Sequence, residues 1–261
     1  MYSIDIPKKI GIKLNGFNLD QSPDRIKLPD KTIIRIFGTI CSGKGTISKS
    51  LSDYYKIPHI DTGKIWRAVT YICSTNNLEP SFENVINAFD QLSVKIVEGS
   101  FYLIYNEAEL ENHQLKNPAI DSIIFKYSVY REAYNKFLVK IFEENEFSMV
   151  LDGRGSMTPY LIQAEKLGYR VIRIFLCASL DESAKRRMID YKNNGNAELD
   201  IDQIKELIYK RDKADYETLV SQNLGFITPD TAILDTSDIE INEAFEICKN
   251  YINNLTSTFD K

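Results

Sequence analysis

The sequence is poor in the residues that build metal centres and covalent nucleophile sites. Only two histidines, His59 and His113, occur in 261 residues, and the four cysteines, at 41, 73, 177 and 248, are far apart with no C-x-x-C pair. That excludes a zinc site of ordinary spacing, and it predicts free thiols in a reducing compartment. Neither histidine lies in a segment with a matching nucleophile elbow, so acyl-transfer hydrolysis is disfavoured. Positive charge is not in excess either: 32 basic against 37 acidic residues leave a net charge of −5. This argues against a general binder of nucleic acid or membrane surfaces and leaves any anion site to a local cluster of Lys and Arg. The first residues, MYSIDIPKKIGIKL, hold no continuous apolar run, and no later run approaches a membrane span. A cytoplasmic protein is therefore expected. Internal repeats and low-complexity tracts are absent as well.

What is present is ordinary for a globular chain, with 43% hydrophobic and 26% charged residues. The length suits one sizeable core with an inserted subdomain rather than two independent domains. Its most informative stretch is residues 38–46, GTICSGKGT. The apolar run at 33–37 before it reads as a buried strand, and Ile47, Leu51 and Tyr55 after it recur as on one helix face. Strand, glycine-rich turn and helix in that order form a phosphate cradle. The backbone N–H groups of Gly38, Ser42, Gly43 and Gly45 would surround an anion, Lys44 would reach the outer phosphates, and the Thr46 hydroxyl would sit near magnesium. Cys41 inside the loop reads as a small space-filling residue. The common pattern places the hydroxyl residue directly after the lysine, whereas here Gly45 intervenes.

Beyond the loop, residues 57–61 read as a short strand, and Asp61 or Thr62 as the N-cap of a helix running to about residue 76. Arg67 falls in the first two turns of that helix, at the sheet edge where open α/β sheets bind nucleotides. Strands at 92–97 and 101–105 form a hairpin, followed by helices near 119–129 and 131–144 with Pro118 suited to a first turn. The core resumes with a strand at 147–151 ending in Asp152-Gly153-Arg154-Gly155, a helix at about 159–167 and a strand at 170–176. Ser179 then caps a further helix, residues 193–196 break the chain, a helix covers about 200–215, and a strand at 231–234 precedes a closing helix at 239–255. Alternation throughout predicts an α/β fold, a P-loop parallel sheet covered by helices on both faces. The expected organisation is an N-terminal extension over 1–29, packed on the core or partly mobile, and a main domain over 30–261. An inserted small subdomain covers about 81–145. Asp152 at a strand end can hold magnesium through water or simply shape the turn with Gly153. Arg154, Arg186, Arg187 and Arg211, as a set in an acidic chain, read as phosphate clamps, with at least one serving only the surface.

Several of these segments occur together in a known order. Gly43-Lys44-Gly45-Thr46, Asp61-Thr62-Gly63-Lys64-Ile65-Trp66-Arg67, Asp152-Gly153-Arg154, Ala184-Lys185-Arg186-Arg187-Met188 and Arg211-Asp212-Lys213-Ala214-Asp215 follow one another as in cytidylate kinases. Over roughly residues 31–255 the chain resembles a nucleoside monophosphate kinase of that branch, and residues 115–120 are similar to a stretch of the family's inserted nucleotide-binding subdomain. The resemblance implies transfer of the γ-phosphoryl group of ATP, with Mg2+, to CMP or dCMP. By the same resemblance Thr62 touches the acceptor base, Arg67 and Arg154 hold its phosphate, and Arg131 reads the base. Arg211 and Asp215 come from a short helical lid, about 190–220, near the ribose. Lys44, Arg154, Arg187 and Arg211 would form the catalytic set, and Asp152 would join the acceptor side. No nucleic-acid or membrane partner is implied, and a monomer is expected.

The chain departs from that family at defined places. An aspartate that follows Asp-Gly-Arg and helps recognise the cytosine amino group is replaced by Gly155, and Ala214, Tyr216 and Thr218 occupy lid positions that are often basic. Two alternatives therefore stand beside the leading reading: a kinase for another nucleotide or small metabolite, and a catalytically weak ATP-binding regulatory protein.

Overall fold

Seven residues with no exposed surface to spare put Thr32–Gly38 (β2) at the centre of the molecule. In the computed structural model every residue of this strand is buried, and it pairs in parallel with a strand on each side. The structure describes residues 11–16, 27–79, 81–97, 99–111, 128–154, 158–193, 199–221 and 227–257. Residues 119–127 of the helix expected at 119–129, residues 115–120, His113, residues 194–196 of the break expected at 193–196, and Gly155 lie outside the described residues; Ser128 and Val129 open the helix that runs to Glu144, and Asn193 ends the helix before the break.

In chain order the elements are β1 (Ile12–Lys13), β2, α1 (Lys44–Tyr55), β3 (His59–Asp61), α2 (Thr62–Thr75), α3 (Phe82–Asp90), β4 (Leu92–Val97), β5 (Ser100–Tyr105) and β6 (Ala108–Glu109). They continue with α4 (Ser128–Glu144), β7 (Met149–Gly153), α5 (Thr158–Lys166), β8 (Arg170–Cys177), α6 (Leu180–Asn193), α7 (Ile201–Ser221), β9 (Ala232–Asp235) and α8 (Ile241–Ser257). The main sheet has the order β1-β9-β8-β2-β7-β3, and every pair in it is parallel. Side chains of β2 alternate between the two faces: Ile33 packs with α2, α4 and α5, whereas Ile34 and Ile36 pack with α1 and α8. The chain leaves β2 toward β3 on one side and reaches β8 on the other, so the carboxyl end of β2 is a switch point where a crevice opens. The expected parallel sheet with helices on both faces is thus the observed one.

A separate antiparallel sheet, β4-β5-β6, carries the expected hairpin, with Leu92 opposite Tyr105 and Val97 opposite Ser100. Its small third strand has no pattern of its own, whereas α3 just before the sheet is an addition to the expected elements although Phe82, Val85, Ile86 and Phe89 recur at helical spacing. Helix α3 is nine residues long, capped by the Ser81 hydroxyl accepting from Asn84 N at 3.2 Å, and it buries Val85, Ala88 and Phe89. Two other expectations shift. Strand β7 runs to Gly153 rather than stopping at 151, because Asp152 and Gly153 pair in register with Ile36 and Phe37 of β2. Helix α7 continues to Ser221, well past 215. Of the N-terminal extension, expected to be packed on the core or partly mobile, the described residues 11–16 pack on it: Ile12 and Lys13 pair with Ala232 and Ile233, and Leu14 is fully buried. Among the described residues, no helix is long and apolar enough to cross a membrane.

Candidate active site

The phosphate loop is held in shape by its own backbone. A Cβ at Gly38, where φ is +149°, would lie 1.8 Å from the Leu176 carbonyl oxygen, so only glycine permits the strand to turn here. Thr39 N donates to that same carbonyl at 3.1 Å. The Thr39 carbonyl accepts from the Ser42 hydroxyl at 2.8 Å and from the Lys44 ammonium. Gly43, in the left-handed region at φ 85°, precedes α1 with no side chain capping the helix. The first-turn amides of α1 therefore face an anion site instead of a cap. Gly38 and Ser42 are buried within the turn, and Gly45 and Thr46 are exposed at the start of α1.

A cavity of about 720 Å³ opens beside this loop, lined by residues of the loop and of β3, α2, β7, α6 and α7. Its cations are Lys44, Arg67, Arg154, Arg187, Lys210 and Arg211, and its carboxylates are Asp61 and Asp152. In a chain of net charge −5 this local excess of positive charge marks a site for anions. Burial and the nearby Arg154 guanidinium hold the Lys44 pKa down to about 8, with Asp152 pulling the other way.

Each group is placed by a different element. Asp61 is the N-cap of α2: its Oδ1 accepts from Gly63 N at 2.8 Å and Lys64 N at 3.2 Å, while its Oδ2 lies 3.2 Å from Arg67 Nη2. One carboxylate thus starts the helix and aims its arginine. Thr62, 3% exposed, rests on Gly153, where a Cβ would stand 2.0 Å from the threonine Oγ1. Arg154 Nη1 reaches Asp215 Oδ2 at 3.4 Å, and Arg211 Nε lies 3.8 Å from the other Asp215 oxygen. Burial lowers the Arg131 pKa from its ordinary value and the charge of Asp215 opposes this, so the Asp215 carboxylate acts on guanidinium groups from α4, from the residue after β7 and from α7. Arg187 lies 4.9 Å over the Tyr191 ring, and both face the cavity. Asp152, 8% exposed, has its Oδ2 3.4 Å from His59 Nε2 and 3.7 Å from where a Cβ would stand on Gly45.

The structure brings together Lys44, Thr62, Arg67, Asp152, Arg154, Arg187 and Arg211 along one cavity; Asp215 does not line it but pairs with Arg154 and Arg211, and Arg131 does not line it either. It separates Arg186 from the clamp set. Arg186 donates to Cys41 O at 3.2 Å, to Thr236 Oγ1 at 3.1 Å and to Thr236 O at 2.6 Å, which braces the loop from the far side. Ala214 does line the cavity, in a lid position where the family often has a basic residue, while Lys210 one turn earlier supplies charge.

Three contributors were not singled out as functional from the sequence. Asp212, 4% exposed, accepts from Ile40 N with both oxygens at 3.1 and 3.3 Å, tying α7 to the phosphate loop. Its signal was the stripe Ile204, Ile208, Asp212 at intervals of four, which points one helix face inward. Trp66 lines the cavity and is backed by Tyr134, stacked at 4.5 Å, and by Phe89 of α3 at 5.8 Å. Arg35, 1% exposed inside β2, donates to Leu151 O at 3.1 Å and lies beneath Gly153, 3.2 Å from where its Cβ would be. A buried guanidinium in an apolar strand has no pattern that announces it.

Known proteins with these features were found by comparison. The cytidylate kinase family model matches residues 34–254. The chain is 30% identical over 222 residues to a cytidylate kinase of Caldicellulosiruptor bescii, covering 83% of this chain and 93% of that protein. It is 32% identical over 215 residues to a cytidylate kinase of Thermosipho melanesiensis, covering 82% and 93%. A bifunctional pantoate ligase/cytidylate kinase of Prochlorococcus marinus is 33% identical over 198 residues, 73% of this chain and 37% of that one. The chain therefore spans well under half the length of the bifunctional relatives it matches and most of the length of the others. With a family match that runs from β2 into α8, and relatives of about its own length that carry the same name, the chain belongs to the cytidylate kinase family.

Proposed function

We propose that the protein transfers the γ-phosphoryl group of ATP to CMP or dCMP, giving ADP and the diphosphate. The carrying observation is that a phosphate loop and a second set of cations from α2, β7, α6 and α7 share one cavity of about 720 Å³. One phosphate loop explains one triphosphate. Arg67, which sits on α2 and pairs with Asp61 rather than with the loop, calls for a second substrate that is itself a phosphate ester.

The chemistry asks little covalent help from the protein. It needs the attacking and leaving oxygens in line and the charge on the transferring group neutralised. The loop amides and Lys44 hold the outer phosphates of the donor. Arg67, released from Asp61, takes the acceptor phosphate, and Thr62 lies beside the acceptor base. Arg154 and Arg211, spaced by Asp215, flank the transferring group together with Arg187. Residues 81–145 form the acceptor-binding insertion, and α7 with the end of α6 forms the lid. Closing the lid over the cavity excludes water, which strengthens each of these interactions and prevents hydrolysis.

Magnesium fits the residues present. A nearly buried Asp152 carboxylate lies 3.7 Å from where a Cβ would stand on Gly45 in the first turn of α1, and the next residue, Thr46, is exposed. A few oxygen ligands supplemented by water are what this ion takes. Thr46 would hold it directly and Asp152 through water, and the ion would supply charge neutralisation on the donor phosphates. The test is ADP release with ATP, magnesium and each nucleoside monophosphate in turn. Turnover with CMP and dCMP is expected to exceed that with other acceptors. Release independent of any acceptor would overturn the reading, and a preference for a different monophosphate, which Gly155 makes the sharpest alternative, would overturn its cytidine half.

A further inference from the structure

Residues 11–16 lie before the family match, which begins at 34, yet hydrogen bonds connect them to the phosphate loop. Ile12 N donates to Thr231 O at 2.8 Å and Leu14 N to Ile233 O at 2.9 Å, adding β1 as an edge strand beside β9. Asn15 then continues the ladder with its side chain. Its Nδ2 donates to Asp235 O at 2.9 Å, and its Oδ1 accepts from Asp235 N at 2.9 Å. This amide occupies both backbone groups of the last residue of β9, as a strand residue would.

The next residue is the link to the loop. Thr236, 2% exposed, donates from N to Cys177 O at 2.8 Å, and its hydroxyl lies 3.2 Å from Ser42 O and 3.1 Å from Cys177 O. Arg186 joins the Thr236 carbonyl and hydroxyl to Cys41 O. The Asp235 carboxylate accepts from Ser237 N at 3.0 Å and from its hydroxyl at 2.6 Å, which fixes the path of the chain past Thr236. Further on, the Ile241 side chain reaches 3.1 Å from where a Cβ would stand on Gly43.

We propose that Asn15 is a positioning residue for the donor site: by clamping Asp235 it sets Thr236, and through Thr236 and Arg186 the carbonyls of Cys41 and Ser42, so that the loop amides converge on phosphate. Orienting carbonyls orients amides, because each peptide group is planar and turns as a unit. Asn15 is exposed and its pair is 220 residues away in sequence, so losing its amide removes two hydrogen bonds without opening the core. The β4-β5 hairpin, in the other sheet, is outside this network and serves as an internal reference.

The inference rests on reading the loop as an ATP site, and its test separates the two. Asn15→Ala and wild type are compared without nucleotide by amide hydrogen exchange. The variant is expected to exchange several-fold faster over residues 40–46, with no change in the β4-β5 hairpin. Asn15→Asp, which keeps the acceptor for Asp235 N but turns a carboxylate oxygen against Asp235 O, should not restore wild-type exchange. In parallel, ATP binding by calorimetry should weaken roughly three- to tenfold in Asn15→Ala, the worth of one or two modest hydrogen bonds. A lowered melting temperature with unchanged exchange over 40–46 would show a merely structural role and overturn the proposal. Wild-type protein that fails to bind ATP would instead overturn the donor reading, and the exchange comparison would still decide the role of Asn15.

Discussion

The two halves of the cavity are built by different means. On the side of the phosphate loop, the proposed donor half, the groups offered to an anion are mostly backbone: the turn at Gly38, the left-handed Gly43 and the first-turn amides of α1, which no side chain caps. Side chains there act from behind, with Asp212 on Ile40 N, Arg186 on Cys41 O and Thr236 against Ser42 O. On the acceptor side the groups are long side chains from separate elements, each held by a carboxylate: Arg67 by Asp61, and Arg154 and Arg211 by Asp215. A backbone cradle is preorganised and has little freedom left to lose. Side-chain pairs would have to exchange one anion for another to take a substrate, so on the proposed reading the acceptor half is the adjustable one.

Lys44 is the one side chain of the donor half that would contact the transferring group, and removing it should break the comparison most severely. Lys44→Met is expected to lower kcat by about a thousandfold or more, since an electrostatic contact aimed at developing charge is lost. Circular dichroism and melting should stay close to wild type, because the substitution also removes a charge that burial disfavours. Loss of the folded signal together with activity would show that Lys44 shapes the loop instead.

Arg67→Ala should divide the halves. The acceptor KM is expected to rise about ten- to a hundredfold, the range of a charge-assisted contact to phosphate, with the ATP KM unchanged. Asp61 still caps α2 in this variant through Gly63 N and Lys64 N, so the helix start survives. Steady-state kinetics with each substrate varied in turn checks this, and a shift in the ATP constant alone would reverse the assignment of sides.

The smallest effect is on pH. A lysine is charged below its pKa, and here burial first and Arg154 second bring that value down to about 8. Phosphate binds the charged form, so ATP affinity should be level below pH 8 and fall above it, by at most about tenfold per unit. Lys44→Arg keeps its charge throughout and should give a flat profile over the same range. Calorimetric titrations between pH 7 and 9.5 distinguish these outcomes, and a wild-type profile as flat as that of the arginine variant would remove Lys44 from the donor contacts.

The same division explains what could be read in advance. Residues 38–46, the strand before them and the helix after them are contiguous, and their conformation follows from local sterics at glycine and from helix periodicity. The α2 cap was readable to within one residue, Asp61 or Thr62, and the structure places it at Asp61, which acts on residues two and three ahead of it. Helix α3 and the two-residue β1 were missed for opposite reasons. Helix α3 is a short, ordinary pattern beside a stronger hairpin signal, and β1 has no pattern until β9 is there to pair with it. Arg186 looked like Arg154 and Arg187 in sequence and turned out to serve the loop from behind, because only packing decides which way a guanidinium on α6 faces.

The sequence by itself determined the alternation of strand and helix, the phosphate loop and the order of motifs that marks the family, all of which depend on neighbours along the chain. Tertiary structure alone decided the partners over long separations: Asp212 on Ile40, 172 residues away, and Asn15 on Asp235, 220 residues away. It also placed Arg35 under Gly153 and Asp215 among its arginines. Local propensity is written into a few consecutive residues, whereas the meeting of distant side chains depends on how strands order themselves in a sheet and which helix faces are buried against it.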